Sequence, residues 1–312
     1  MTVCIAAACR WKDWSLIIGA SDRMLTSGNI EFEPPQTKVF PLTRNVVAMI
    51  SGDGSKMLTI CQQAWADLQA KPQADVAGVV GIVTARFAAL RRSEAEASML
   101  TPLGLDLPKL LLGQKRGMDK ELVASLLREV REYSFDSNLI ITGTDGSGAH
   151  IYIVGDPGRA MCCDLMGFAA IGVGDWHAES QFMVAKYVSS WPFEKALRLL
   201  YLAKKRAETA PGVGTDTDLF IIGSPPAGAH TQVGVDVVQR LHEMYEAHMK
   251  TIETMGWLAD TQMEDYVKQL EASTQEAQET ATESGGKEPP EPGTIRGDPE
   301  KGESEDDGKD NP

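Results

Sequence analysis

Four apolar segments near the N-terminus fall into two successive pairs, and the connector within each pair is too short to hold a helix. They cover residues 3–9, 16–21, 38–40 and 46–51. Each is rich in β-branched residues or alanine and is bounded by polar or turn residues, which is typical of buried strands. Parallel neighbours need a long crossover connection, whereas antiparallel neighbours need only a turn. The sequence therefore predicts that these strands are antiparallel neighbours.

The later elements follow one another in blocks rather than in strict alternation. Helices are predicted at about 57–68, 75–96, 119–133, 175–188, 193–209 and 236–254, and further strands at 138–144, 150–154, 159–163, 168–171, 219–223 and 230–233. This order differs from the βαβ alternation that builds a parallel sheet. The strands are continuously apolar, so both of their faces are predicted to be buried. We therefore expect an α+β fold, a four-layer αββα sandwich of two antiparallel sheets.

The charge distribution separates a domain from a tail. We expect one domain over residues 2–258 and an acidic tail over residues 259–312. The formal net charge is −14, and residues 271–312 contain thirteen acidic and four basic residues, so this stretch carries −9 of it. Because the tail has few apolar residues to offset the entropy lost on ordering, we expect it to be mostly disordered. A solubilising extension and a docking segment for a basic partner are both open as its role.

Composition argues against several classes of function. No apolar run approaches the roughly 18 residues of a membrane helix, and the N-terminus lacks the basic start of a signal peptide. There is no basic stripe for nucleic acid. No C-x-x-C pair occurs among the cysteines, which are Cys4, Cys9, Cys61, Cys162 and Cys163. We therefore expect reduced thiols, a cytoplasmic location, and neither a metal nor a cofactor.

The first hairpin brings Asp22 close to Thr2. If residues 3–9 pair with residues 16–22 around a turn at 11–14, the numbers of paired residues sum to about 24 or 25. Lys38 begins the third segment, and Gly52 ends the fourth just before a helix, where unpaired backbone N–H groups collect. The topology thus predicts an Asp–Lys pair and a donor turn beside Thr2. The alternative for Asp22 and Lys38 is a surface ion pair.

Thr2 directly follows the initiator Met1. A methionine ahead of a small residue is usually removed, so we expect the mature chain to begin with a threonine that has a free α-amine. Such a residue carries a nucleophile and a base together. An α-amine has a reference pKa of about 7.7–8.0 and can act as a base at neutral pH.

With these residues in place, the chain resembles the proteasome β-subunit family of N-terminal nucleophile hydrolases, which includes bacterial ATP-dependent protease subunits and ancestral β-subunit-like proteins. The resemblance is carried by residues 2–6, 20–23, 26, 28–29, 37–40 and 49–53. The steps of 16 residues from Asp22 to Lys38 and of 14 from Lys38 to Gly52 match the family's spacing. The step from Thr2 to Asp22 is longer, which a longer first hairpin explains. The resemblance covers about residues 2–240, with an insertion at about 97–118.

The resemblance implies a threonine-type endopeptidase. Thr2 would be the nucleophile and would pass its hydroxyl proton to its own α-amine. Lys38 would favour the deprotonated hydroxyl and amine, while Asp22 holds Lys38 in place. Gly52 would supply the N–H group that stabilises the oxyanion.

The resemblance also implies how substrate is held and how the protein assembles. Thr26 would contact the backbone of a peptide or protein substrate, and the first substrate pocket would be lined by Leu25, Phe40 and Ile50. Family members form self-compartmentalised homo-oligomeric rings, some of which work with an ATPase or unfoldase. We therefore expect such a ring, with an unfoldase as a possible partner.

Val173 departs from the family pattern. Family members usually carry a serine in a Gly-Ser-Gly turn here, and the later Asp and Ser of their hydrogen-bond network are not clear in residues 212–218. Thr215 or Asp216 could substitute for them, and Asp175 could substitute or serve as a helix N-cap. Two other functions therefore stay open: an inactive proteasome-like structural or binding subunit, and a non-peptide amidohydrolase such as an acylase.

Overall fold

The computed structural model describes residues 2–27, 30–115, 117–223 and 228–283. The chain divides into two units, Met1–Glu246 and Ala247–Pro312, each of which is described by itself. The first unit is an α+β structure with antiparallel sheets, as the sequence predicts at that level. Among the described residues, no helix combines the length and the apolar character required to cross a membrane.

The described strands are β1 Val3–Trp11, β2 Trp14–Ser21, β3 Leu25–Ser27, β4 Ile30–Phe32, β5 Val39–Pro41, β6 Val46–Ser51, β7 Asn138–Asp145, β8 Gly148–Gly155, β9 Arg159–Cys162, β10 Phe168–Gly172, β11 Asp218–Ile222 and β12 His230–Gln232. The α-helices are α1 Gly54–Gln69, α2 Val76–Ala95, α3 Leu107–Lys115, α4 Lys120–Glu132, α5 Asp175–Val184, α6 Phe193–Ala207 and α7 Val235–Glu283. The helix α3 and the short hairpin β3–β4 are elements that the sequence analysis did not predict.

Among the described residues, antiparallel pairing forms two five-stranded sheets and a separate two-stranded sheet. The first sheet has the strand order β10-β1-β2-β11-β12, the second has the order β5-β6-β7-β8-β9, and β3 pairs with β4. In the first hairpin Cys4 lies opposite Ser21 and Trp11 opposite Trp14. The numbers of these partners sum to 25, so the predicted register is confirmed.

The continuous apolar character of the strands is explained by the packing of both of their faces. Alternate side chains of β1 enter different hydrophobic clusters, because successive side chains of a strand point to opposite faces. Val3 and Ile5 pack with α5 and α6, whereas Cys4 and Ala6 pack with side chains of the second sheet. The other face of the second sheet packs against α1 and α2. Side chains on both faces of these strands are therefore buried.

Residues 97–118, which the resemblance treats as an insertion, contribute to a small helical cluster. A π-helical turn at Glu96–Leu100 and a 3₁₀ turn at Thr101–Leu103 precede α3. Leu100 and Leu110 pack against Val123 and Leu126 of α4. The segment thus has a core of its own beside the larger clusters.

The last helix is longer than the sequence prediction of about 236–254. Helix α7 continues to Glu283, so the expectation of a mostly disordered tail is wrong for residues 259–283. The residues there are mainly Glu, Gln, Ala, Leu, Met and Thr, and most of these have high helix propensity, which the argument from low hydrophobicity left out. The rest of the predicted tail, residues 284–312, lies outside the described residues.

Candidate functional site

Thr2, Asp22 and Lys38 are in direct contact. The hydroxyl group of Thr2 donates a hydrogen bond to Asp22 Oδ1 and accepts one from Lys38 Nζ. Lys38 Nζ also lies 2.8 Å from Asp22 Oδ1. Thr2 is 4% exposed, and the side chains of Asp22 and Lys38 are 0% and 9% exposed. The alternative of a surface ion pair is therefore wrong, because both charges are buried together with a hydroxyl group.

Asp22 is fixed by the end of the first hairpin and by a distant loop. Its backbone N–H donates to the carbonyl of Val3, and its Oδ1 accepts the N–H of Val3 at 3.0 Å. Its Oδ2 accepts the N–H groups of Met24 at 3.1 Å and of Gly214 at 3.0 Å. With Thr2 and Lys38, five donors surround one buried carboxylate. This arrangement fixes both oxygens and satisfies the demand of a buried charge for hydrogen bonds.

Lys38 reaches the site from the second sheet. It directly precedes β5, and its carbonyl accepts the backbone N–H of Ile50 in β6 at 3.1 Å. Thr2 and Asp22 belong instead to the start of β1 and the end of β2 in the first sheet. The ion pair therefore joins the two sheets at the ends of their strands.

Gly52 lies at the junction between β6 and α1. Its φ angle is +88°, and a Cβ atom here would collide with Ser137 and with the backbone of Asp136. Asp53 follows, donates its N–H to Ser137 Oγ at 2.8 Å and caps α1 through its side chain. Only glycine suits this exposed turn. It lies two residues after Ile50, whose carbonyl accepts the thiol of Cys4 at 3.4 Å.

The four predicted substrate-binding residues lie on three strands, β3, β5 and β6. Phe40 and Ile50 are half-buried and pack against the cluster that the second sheet forms with α1 and α2. Leu25, which is 39% exposed, and Thr26 lie on β3 and pair with β4. The structure therefore brings Phe40 and Ile50 to one cluster and presents Leu25 and Thr26 on a separate hairpin.

The turn around Val173 lies against the backbone of Thr2. Gly174 N lies 3.5 Å from the carbonyl oxygen of Thr2, and a side chain at position 172 would collide with that carbonyl group. Val173 itself is 48% exposed and brings no hydroxyl group to the turn. Asp175 is the first residue of α5 rather than its N-cap, a position that Gly174 occupies. The expectation that Asp175 caps the helix is therefore wrong by one residue.

The loop at 212–218 contributes backbone rather than side chains to the site. Thr215 and Asp216, the predicted substitutes, contact Glu33 through the Thr215 hydroxyl and the Asp216 N–H. Asp218 pairs with both Nε and Nη2 of Arg23, at 3.1 and 2.6 Å. What reaches Asp22 from this loop is the N–H of Gly214.

Lys204 was missed by the sequence reasoning. It lies on α6, its side chain is 0% exposed, and its Nζ donates to the carbonyl groups of Gly214 and Thr215. Its burial could have been predicted from the sequence, because Lys204 falls on the same helix face as the buried Leu197, Leu200 and Ala207. A lysine on the buried face of an amphipathic helix needs partners for its ammonium group.

The thiol of Cys4 borders the Thr2 hydroxyl but is not a competing nucleophile. Burial raises the pKa of Cys4 to about 12, against the opposing effect of the nearby Lys38 charge. The thiol is therefore neutral at physiological pH, and the thiolate is the nucleophilic form of cysteine. Among the residues that the structure describes, no group of three or more His, Cys, Asp or Glu side chains is arranged to hold a metal ion.

No protein-family model matches the chain, and no curated protein matches it significantly. The function therefore has to be inferred from the residues around Thr2 and from their geometry.

Proposed function

We propose that this protein is a threonine-type peptidase or amidase of the proteasome β-subunit-like N-terminal nucleophile hydrolase class. The observation that carries the proposal is the contact of the Thr2 hydroxyl with both Asp22 and Lys38 in a buried site. Thr2 becomes the terminal residue when Met1 is removed, and its amine is then free to act as the base. In the same proposal residues 2–258 form the hydrolase domain of a cytoplasmic protein that needs no cofactor.

The proposed reaction needs only one residue as nucleophile and base. The α-amine of Thr2 takes the hydroxyl proton while Oγ attacks the carbonyl carbon of an amide, whose oxygen becomes an oxyanion beside the N–H of Gly52. The amine then gives that proton to the leaving nitrogen as the C–N bond breaks, which leaves an ester on Thr2. Water hydrolyses the ester and restores the hydroxyl group.

Lys38 and Asp22 adjust the charge around this oxygen. The ammonium group of Lys38 donates to Thr2 Oγ and stabilises the negative charge that develops there as the proton leaves. Asp22 neutralises that ammonium group in its buried position and orients it through the 2.8 Å contact. This division of labour explains why both charges accompany a buried hydroxyl.

The packing of the sheets supports the fold that belongs to this class. We propose a four-layer αββα sandwich, because each five-stranded sheet shares one apolar cluster with the other sheet and one with a pair of helices. The start of β1 and the end of β2 lie at one edge of the first sheet, next to the end of β6. Such an arrangement places Thr2 at the end of the strands, which is the side from which a substrate would have to approach.

The proposed assembly is a homo-oligomeric ring that encloses the sites and receives peptide or unfolded protein, with or without an unfoldase. Its support is the apolar surface of α5 and the residues after it. Trp176 and Val184 are each 81% exposed, and Met183 and Val188 are also exposed. Exposed apolar side chains that are grouped in one short segment are typical of protein interfaces.

Val173 favours a second candidate, a subunit of the same fold that binds or assembles without turnover. The turn that holds it contacts the Thr2 backbone, where family members carry a serine hydroxyl. A non-peptide amidohydrolase would use the same nucleophile on a smaller amide.

Two measurements test the proposal on the intact protein. Mass spectrometry of the purified chain should show that Met1 is absent, and a peptide epoxyketone, which reacts with both hydroxyl and amine, should label Thr2. Thr2→Ser should still be labelled, because it keeps both groups, whereas Thr2→Ala should not be. Retained Met1, or labelling that survives Thr2→Ala, would contradict the assignment. A free Thr2 that does not react would favour the inactive subunit.

A further inference from the structure

Lys204 is a buried cation whose hydrogen bonds are all directed at one loop and one helix end. Its Nζ lies 2.5 Å from Glu208 Oε1, 3.0 Å from the carbonyl oxygen of Gly214 and 2.9 Å from that of Thr215. An ammonium group has three donors, and all three are used. Burial lowers the pKa of Lys204, while the Glu208 carboxylate opposes that shift.

The carbonyl groups that Lys204 holds belong to the residues that reach Asp22. The N–H of Gly214 donates to Asp22 Oδ2 at 3.0 Å, in a buried hydrogen bond. A Cβ atom at position 214 would meet the carboxylate of Glu33 and lie 3.0 Å from Met24 Cβ, so the loop packs closely here. Gly214 is therefore held through its carbonyl by Lys204 and through its N–H by Asp22.

The other oxygen of Asp22 contacts the proposed nucleophile and its lysine. Oδ1 accepts from the Thr2 hydroxyl and from Lys38 Nζ, while Oδ2 accepts from Gly214. A rotation of the carboxylate that followed a displaced Gly214 would move Oδ1 as well. Without Lys204, the carbonyl groups of Gly214 and Thr215 would have no buried donor. Such a displacement would then be favoured, because unsatisfied buried polar groups are costly.

We propose that Lys204 is a positioning residue that fixes the carboxylate of Asp22 through the backbone of Gly214 and Thr215. It contacts neither Thr2 nor a substrate in this role and acts only through Asp22. Its effect on reactivity rests on the proposed function of Thr2, whereas its effect on the loop does not.

Lys204→Met tests this role, and Lys205→Met is the matched control. Methionine is apolar and similar in length, and it has no donor for the two carbonyl groups. Lys205 contacts the same Glu208, at 2.8 Å, but its described bonds include neither carbonyl group of the loop. Both variants lose one lysine beside Glu208, and only the first loses the link to Asp22.

Two readouts separate positioning from simple destabilisation. Hydrogen–deuterium exchange should become faster at the N–H groups of Gly214 and Met24 in Lys204→Met and stay unchanged in Lys205→Met. In epoxyketone labelling, the maximal rate of inactivation should fall by about ten- to a hundredfold in Lys204→Met, with little change in the reagent's apparent affinity. A purely structural role would lower the melting temperature and leave the inactivation rate of folded protein as it is.

The outcomes distinguish this inference from the proposed function. Exchange at Gly214 and Met24 that is unchanged in folded Lys204→Met overturns the inference, and so does an unchanged inactivation rate in a reactive enzyme. If the unmodified protein does not react with the epoxyketone, the proposed function fails, and faster exchange in Lys204→Met still supports the link to Asp22. If Lys204→Met does not fold, Lys204→Leu, which also lacks a donor and is smaller, gives the same comparison.

Discussion

Two clusters in this protein bring a hydroxyl group together with a basic side chain and an aspartate, and they differ in how they are built. The Thr2 cluster, which consists of Thr2, Asp22 and Lys38, is buried and joins two sheets. The Ser147 cluster lies at the turn between β7 and β8 and beside the connection after β9. Its members are Asp145, Ser147, His150 and Asp164.

Distances alone would make the Ser147 cluster look like a catalytic triad. Ser147 Oγ lies 2.8 Å from His150 Nε2, and His150 Nδ1 lies 2.7 Å from Asp164 Oδ2. However, the single hydroxyl proton of Ser147 is donated to Asp145 Oδ1 at 2.6 Å, so its oxygen accepts from His150. An imidazole that donates from both nitrogens is protonated and cannot act as a base. The Thr2 hydroxyl also donates to an aspartate and accepts from a cation, so neither proximity nor hydrogen-bond direction separates the two clusters. What separates them is that Thr2 is buried and, once Met1 is removed, carries its own α-amine as a base.

Removing the basic residue from each cluster tests most directly which of the two is catalytic. We expect Lys38→Ala to lower the rate of peptide hydrolysis by about 10²-fold or more, since it removes the charge that stabilises the forming alkoxide. His150→Ala should leave the rate nearly unchanged, because Ser147 is not a nucleophile. Steady-state rates with a fluorogenic peptide measure both effects.

Folding must be checked for both variants. Circular dichroism and the oligomeric state should match those of the unmodified protein before the rates are compared. Near-normal turnover in folded Lys38→Ala would mean that the buried ion pair is only structural. A large loss of rate in folded His150→Ala would transfer the catalytic role to the Ser147 cluster.

Cleavage specificity gives a smaller effect and concerns the surroundings of the Thr2 cluster. The implied pocket residues Leu25, Phe40 and Ile50 carry no charge that could compensate a buried Lys, Arg or Glu side chain of a substrate. Burying a large apolar side chain is favourable by about 1.5–3 kcal/mol, which corresponds to roughly 10- to 150-fold in rate. We therefore expect cleavage after Leu or Phe to dominate. A panel of fluorogenic peptides measures it, and strong preference for Arg or Glu would show that other residues line the pocket.

The Thr2 cluster could be predicted because local rules determine it. The hairpin register follows from a short turn between two strands, and it places Asp22 beside the N–H of Val3 as predicted. Lys38 could be predicted from the third strand and from the family spacing. The burial of the ion pair, which excludes a surface pair, could not be predicted, because residue spacing does not show burial.

The parts that could not be predicted depend on contacts that are distant in sequence. Gly214 lies 192 residues from Asp22 in the chain, so no turn or periodicity connects the two. Lys204 could be recognised as buried from the helix face but not assigned to a loop. The wrong expectation of disorder at residues 259–283 has a different origin. Low hydrophobicity predicts disorder there, whereas the helix propensity of the residues favours a helix that continues to Glu283.

The smallest expected effect is a pH dependence of stability that comes from His150 in the Ser147 cluster. Burial alone would lower the pKa of His150, but the hydrogen bond to Asp164 and the charges of Asp164 and Asp145 outweigh it and raise that pKa above the ordinary value of 6.5. A group whose pKa is raised by folding stabilises the folded state below its unfolded pKa, and this contribution is lost as the pH rises through the folded pKa. The stabilisation by His150 should therefore be larger at pH 5.5, below the ordinary pKa of 6.5, than at pH 9, above it.

The measurement compares the unmodified protein with His150→Gln at these two pH values. Subtracting the two proteins cancels the titration of groups elsewhere, and Asp145, with a pKa of about 2, stays ionised throughout. We expect His150→Gln to cost about 1 kcal/mol at pH 5.5, the net scale of one intramolecular hydrogen bond, because the amide keeps part of the hydrogen bonding, and clearly less at pH 9. The shift of the thermal midpoint between the two proteins at each pH reports this difference. An equal shift at both pH values would mean that His150 packs there as a neutral ring, and the protonated imidazole inferred for the Ser147 cluster would then be wrong.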